Sequence, residues 1–297
     1  MNKKMTKGAY TLLITPWNEK GALDQDGLKL LVERQVAVGI HGIAPLGVTG
    51  ENTLLTDAEE LKVLEIVAKT ANGKCKVVPD TCSSSLWRAK EKVKAFADLG
   101  ADYISVFSPF FILPKAEGII KFYEQLADVS PVPILLHNSK DRTCVEIDPG
   151  MTALLSKHPN IVGIKDGNKG LDHLTKVILL TKDEDFCVFT GKDTTAFPLL
   201  SFGGAGSFTV AGNIVPEVMK EMIDLALAGK MEQAQNMHYE YYPLFAALRW
   251  ETNPMSAKRA LNLMGLPAGG LRLPLTPLSE DKTSKLHNIL HKKGIIK

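Results

Sequence analysis

The chain is poor in several features that would each define a class of protein. It has four cysteines among 297 residues, Cys75, Cys82, Cys144 and Cys187, scattered and without C-x-x-C spacing. This pattern argues against a disulfide framework and a thiolate zinc site, and fits reduced thiols in a cytoplasmic protein. Net charge is almost absent, since 35 basic and 33 acidic residues leave a formal +2. With no basic stripe interleaved with aromatics, nothing in the charge pattern calls for nucleic acid. No apolar run approaches the length of a membrane span. The opening M-N-K-K-M-T-K-G lacks the apolar core of a signal peptide. There is no sequence repeat and no low-complexity tract. What remains, 45% hydrophobic and 23% charged residues, is the composition of an ordinary soluble globular protein.

What does recur is an alternation of element types. Short apolar runs predict strands at 8–15, 42–47, 76–80, 103–107, 133–137, 161–165, 186–190 and 207–211, and amphipathic segments between them predict helices. Thr56 followed three residues on by Glu59 is a capping-box signature for one of these helices. Eight strand–helix units in succession imply parallel strands closed into a (β/α)8 barrel, an α/β fold of about 250 residues with room here for an appendage. After Gly229 the pattern is helical only, at 231–247, 254–264 and 280–291. The expected division is therefore a barrel over 1–229 and a C-terminal helical region over 230–297.

In such a barrel the active site lies at the C-terminal ends of the strands. The stretch N-I-V-G-I-K-D-G-N at 160–168 is a buried strand that ends on Lys165, with Asp166, Gly167 and Asn168 as turn residues. Partial desolvation lowers the pKa of a lysine amine and makes it a nucleophile able to form a Schiff base with a 2-oxo acid. The residues alone also allow a surface lysine paired with Asp166. The second strand ends in G-V-T-G-E at 47–51, a glycine-bracketed loop whose amides, with the Thr49 hydroxyl, suit a carboxylate or form a plain tight turn. The fifth ends in His137 with Arg142 close behind, and the seventh runs into G-K-D at 191–193. A histidine, an arginine and a lysine converging on one mouth read as an anion pocket with an imine-forming centre.

These motifs carry a resemblance. Together with G-G-A-G at 203–206, E-T-N-P at 251–254 and L-R-L-P-L-T-P at 271–277, they make the chain similar, over essentially its full length, to one known family. This is the dihydrodipicolinate synthase and N-acetylneuraminate lyase family of pyruvate-dependent class I lyases and aldolases, and the last two motifs look most like its synthase branch. The resemblance implies a homotetramer or homodimer that needs no metal and no cofactor beyond a covalent lysine imine, here on Lys165. It implies a 2-oxo acid and an aldehyde or related acceptor as substrates. It also implies pyruvate-carboxylate binding by Thr49 with its neighbours Val48 and Gly50, backbone near the same site from Phe208, and an acceptor-carboxylate contact from Arg142.

The departures from that pattern concern proton transfer. Synthases use a relay of two tyrosines and a threonine, and the matching positions here are His137, Phe111 and Val48. Phenylalanine and valine neither donate nor accept a proton. His137 is the one replacement able to shuttle protons, and it also reads as a packed side chain filling the tyrosine's space. The expected activity is therefore synthase-like with an altered relay. A 2-keto-3-deoxy sugar acid aldolase or dehydratase, an N-acetylneuraminate lyase-like aldolase, or a silent 2-oxo-acid-binding barrel stand as alternatives.

Overall fold

The computed structural model describes residues 5–167 and 170–297; Asn168, expected as a turn residue, lies outside them. Its sheet comprises β1 (Gly8–Leu12), β2 (Gly42–Ala44), β3 (Lys76–Val77), β4 (Asp80–Thr81), β5 (Ile104–Phe107), β6 (Ile134–Asn138), β7 (Ile161–Asp166), β8 (Cys187–Thr190) and β9 (Gly206–Thr209). Neighbours pair in parallel in the order β3-β2-β1-β9-β8-β7-β6-β5-β4, with β1 joined to β9 from Gly8↔Gly206 to Thr11↔Thr209. The order breaks only between β3 and β4, and these are the two halves of the single strand expected at 76–80. Pro79 sits at the break, where it has no N–H to give a ladder. Single bonds still tie the broken strand to both sides: Val78 N–H donates to Ile43 O at 2.9 Å and Ser105 N–H to Pro79 O at 2.9 Å. The barrel is thus an eight-strand closure with one split strand, as the alternation implied.

Helices α1 (Gln25–Val38), α2 (Asp57–Ala71), α3 (Leu86–Asp98) and α4 (Ala116–Val129) follow the strands as expected. The capping box on α2 is formed in both directions between Thr56 and Glu59. A short α5 (Lys140–Thr143), which no periodicity announced, follows β6 and carries Arg142; α6 (Pro149–Leu155), α7 (Leu171–Thr181), α8 (Ala196–Ser201) and α9 (Pro216–Leu227) complete the wrap. All residues of β5 through β9 are buried, as strands covered on both faces must be. Among the described residues no helix is long and apolar enough to cross a membrane.

The tail forms α10 (Met231–Ala247), α11 (Met255–Leu263) and α12 (Glu280–Lys292). One buried ion pair fastens it to the catalytic end of the barrel. Lys258 Nζ of α11 lies 2.5 Å from Glu51 Oε1, with side-chain exposures of 2% and 0%. Glu51 also accepts from the Trp17 indole N–H at 3.2 Å, and Lys258 donates to Gly270 O at 2.8 Å. Burial pushes the Lys258 ammonium down to about 8, against the pull of Glu51. Removing one partner strands the other charge in the interior, which costs about 3–5 kcal/mol. Lys258→Met is therefore expected to lower unfolding stability by about that amount, measured by urea denaturation; a change under about 0.5 kcal/mol, the level of a surface substitution, would contradict the assignment.

Candidate active site

The strand ends converge as the barrel requires. A cavity of about 50 Å³ is lined by Val48, Thr49, His137, Arg142, Lys165, Lys192, Arg249 and Asn253, among others. At roughly 10–15 Å³ per water position, it has room for a small oxo acid rather than a large ligand. A second cavity of about 260 Å³ shares Val48, Arg142 and Asn253 with the first and adds Phe107, Phe110, Pro274 and Leu275. The two together offer a small polar chamber opening onto a larger, more apolar one.

Lys165 stands at the end of β7, directly opposite His137 in the β6–β7 register. It is 3% exposed, so it is no surface lysine. Its partner is not Asp166. That carboxylate accepts from Asn138 Nδ2 at 2.9 Å and pairs with His173 Nε2 at 2.9 Å on the outer side of the sheet. Alternation of side chains along the strand puts neighbours on opposite faces, so Lys165 points inward when Asp166 points outward.

The partner of Lys165 is Asp80, the first residue of β4, whose side chain is wholly buried. Its Oδ2 lies 3.0 Å from Lys165 Nζ and its Oδ1 3.0 Å from His137 Nδ1, while Nζ and Nδ1 are 3.4 Å apart. Gly47 makes the space, because a Cβ there would fall 2.6 Å from Asp80 Oδ2. Burial pushes the Lys165 amine below its ordinary value, with Asp80 opposing. Burial and the neighbouring Lys165 charge push His137 down as well. Burial alone would raise the Asp80 carboxyl, but Lys165 and His137 together hold it below the usual carboxylate range. The ionised carboxylate accepts from His137, so Nδ1 carries the imidazole proton and Nε2 the lone pair. The His137 ring also lies 3.7 Å, centroid to centroid, from Phe107, so packing and polar contacts both fix it.

The other expected site residues divide. Val48, Thr49 and Arg142 line the cavity. Thr49 Oγ1 accepts from Asn253 Nδ2 at 2.8 Å, which ties the G-V-T-G-E loop to the E-T-N-P motif of the tail. The Gly50 amide is already committed, donating to Gly47 O at 3.0 Å, and Glu51 N–H donates to Val48 O at 3.1 Å. These two loop amides are therefore not available to an anion. The Phe208 side chain is not in the cavity: it stacks on Tyr10 at 4.8 Å within the barrel core, with Lys165 Nζ 5.4 Å from its ring centroid. Phe111 is 91% exposed on the loop after β5 and does not line the cavity of this chain.

Sequence reasoning missed Asp80 and Arg249 and gave Lys192 no role. With Arg142, Lys165, Lys192 and Arg249 around it and Asp141 the one acid among its lining residues, the cavity favours an anion. Among the described residues no group of three or more His, Cys, Asp or Glu side chains is placed to hold a metal ion.

A desolvated strand-end amine facing an anion-favouring chamber defines an imine-forming lyase on a (β/α)8 barrel. Comparison with known proteins narrows that class. The model of the dihydrodipicolinate synthetase family matches residues 5–293. The 4-hydroxy-tetrahydrodipicolinate synthase of Methanospirillum hungatei is 41% identical over 288 residues, 96% of this chain and 99% of that one. The enzyme of the same name from Methanothrix thermoacetophila is 38% identical over 97% of each chain. Among solved structures, the chloride-inhibited dihydrodipicolinate synthase of Acinetobacter baumannii, complexed with pyruvate, superposes with a TM-score of 0.95. It is 33% identical and covers 98% of this chain and 100% of that one. The chain belongs to the dihydrodipicolinate synthetase family, and its activity is that of a lyase of the lysine-imine type.

Proposed function

We propose that this protein condenses pyruvate, or a closely related 2-oxo acid, with Lys165 and joins it to or cleaves it from an aldehyde-type acceptor, in a synthase-like reaction with altered proton handling. The observation that carries this reading is the inward-facing, buried Lys165 amine at the floor of a cationic chamber. The pyruvate complex of the Acinetobacter baumannii relative supports the choice of oxo acid. In this reading the carboxylate of the oxo acid is received by Thr49 and the Val48 and Thr49 amides, and Arg142 meets the acceptor where the two cavities join. Gly50 and Phe208 contribute by shaping the loop and the floor rather than by side-chain contact. The Lys165 imine is the electron sink, so the chemistry calls on no cofactor.

His137 acts as the acid/base in place of the missing phenol. Its Nε2 lone pair takes the C3 proton of the imine to give the enamine that attacks the acceptor. Val48 and Phe111 leave the usual hydroxyl relay without two of its members, and this favours an acceptor different from that of the synthases. A sugar-acid aldolase is the reading next in line. A silent binding barrel is disfavoured because binding alone requires no desolvated amine.

The enzyme is read as cytoplasmic, supported by four cysteines that form no disulfide among the described residues. It is also read as a homodimer or homotetramer. Phe111, Ile112 and Leu113 are exposed on the loop after β5, which Ser84 Oγ, donating to Phe110 O at 2.6 Å, joins to the loop before α3 and its exposed Trp87. Such a run of apolar side chains is suited to a subunit contact. The helical region after 229 is read as a clamp on the substrate-binding loop.

Pyruvate with borohydride is expected to add one covalent label at Lys165, seen by intact-protein and peptide mass. Lys165→Ala should take none; label persisting in that variant, or absent from the wild type with every 2-oxo acid tried, overturns the reading. His137→Phe is expected to trap pyruvate normally but to lose turnover by at least about 100-fold. Full turnover in that variant reduces His137 to a packing residue.

A further inference from the structure

We infer that Asp80 is a catalytic carboxylate of this enzyme, the group that moves protons between the Lys165 nitrogen and the substrate oxygen while the imine forms. The inference rests on the Schiff-base reading of Lys165 and goes beyond it.

Burial of an isolated carboxylate is strongly unfavourable, and Asp80 is wholly buried at the centre of the strand ends. The fold gives it a prepared place. Pro79 breaks the strand just before it, Gly47 has no side chain to contest its Oδ2, and His137 holds its Oδ1. Its Oδ2 is thereby set against the reacting atom itself, 3.0 Å from Lys165 Nζ. This is hydrogen-bond distance for direct transfer.

The proton account closes on these groups. The Lys165 ammonium gives one proton to Asp80, and the neutral amine attacks the keto carbon. The N–C bond forms and the carbonyl π pair moves onto oxygen, which takes the proton back from Asp80. A second proton follows the same route from nitrogen to the new hydroxyl. The C–O bond then breaks, and water leaves with two protons that began on Nζ. The iminium keeps the third, and Asp80 returns to a carboxylate paired with the new cation. The low pKa of Asp80 belongs to the ion pair: once the ammonium has given up its charge, burial raises the carboxyl and lets it hold the proton in transit. The same carboxylate fixes the His137 tautomer, so the Nε2 lone pair is ready for the following step.

Asp80→Asn keeps the shape and removes the base. It is expected to lower the melting temperature, because the buried Lys165 loses its counter-ion, and, in the folded protein, to slow borohydride trapping of pyruvate by at least about 100-fold. Asp80→Gly, which cannot mispair with Lys165, is expected to be equally slow and to recover trapping saturably when sodium formate supplies the missing carboxylate. Wild-type trapping rates in folded Asp80→Asn, or in Asp80→Gly without formate, overturn the inference. So does an Asp80→Gly protein that stays inert at every formate concentration. Absence of label in the wild type overturns the Schiff-base reading and this one together; a labelled wild type with an unaffected Asp80→Asn overturns this one alone.

Discussion

The constraint on which the site depends is the placing of an ammonium and a carboxylate inside the mouth of a closed barrel. Lys165 and Asp80 come from strands that are not neighbours, β7 and β4, and they meet across the barrel axis. Neither charge is tolerable there alone, and their attraction supports both only with good geometry and additional hydrogen bonds. His137 supplies one such bond from β6, and the glycine at position 47 supplies the room. The site is thus an electrostatic unit drawn from several strands, and each member sets the protonation state of the others.

This unit changes the meaning of the lost hydroxyls. A phenol relay moves protons through neutral donors and acceptors, whereas a carboxylate–imidazole pair moves them through groups whose charge is balanced by the lysine itself. With Val48 in place of one hydroxyl, the larger cavity presents Val48, Phe107, Phe110, Pro274 and Leu275. The cationic rim of Arg142, Lys192 and Arg249 remains to receive anionic substrate. The tail also takes part in holding the chamber: Asn253 bonds the Thr49 hydroxyl, and Lys258 anchors Glu51 two residues further on. The loop proposed to receive the oxo acid is therefore held from the barrel on one side and from the helical region on the other.

Much of this was legible in the residues. Alternating strand and helix patterns define a barrel because each buried parallel strand is a short apolar run and each covering helix is amphipathic. Strand-end positions then nominate Lys165, His137, Thr49 and the arginine of the following turn. Asp80 escaped because it was read only as the last residue of the strand at 76–80, and nothing local reveals that its side chain meets Lys165 across the barrel. Lys165 was open to pairing with Asp166 because sequence proximity is visible and a contact across 85 positions is not. Gly50 was taken as an amide donor to an anion. The compact turn of the loop uses that amide internally, a matter of backbone geometry that residue types do not encode. Phe208 was expected to act through its backbone, and its ring belongs to an aromatic stack with Tyr10 and Phe189.

The central claim is that one buried carboxylate serves the imine-forming nitrogen. A crystal structure of the enzyme soaked with pyruvate tests it most directly. The account predicts continuous density from Lys165 Nζ to the former keto carbon, with Asp80 Oδ2 still at hydrogen-bond distance from that nitrogen and His137 Nδ1 still on Oδ1. Pyruvate bound without a covalent link to Lys165, or an Asp80 carboxylate turned away from the imine nitrogen, would contradict it.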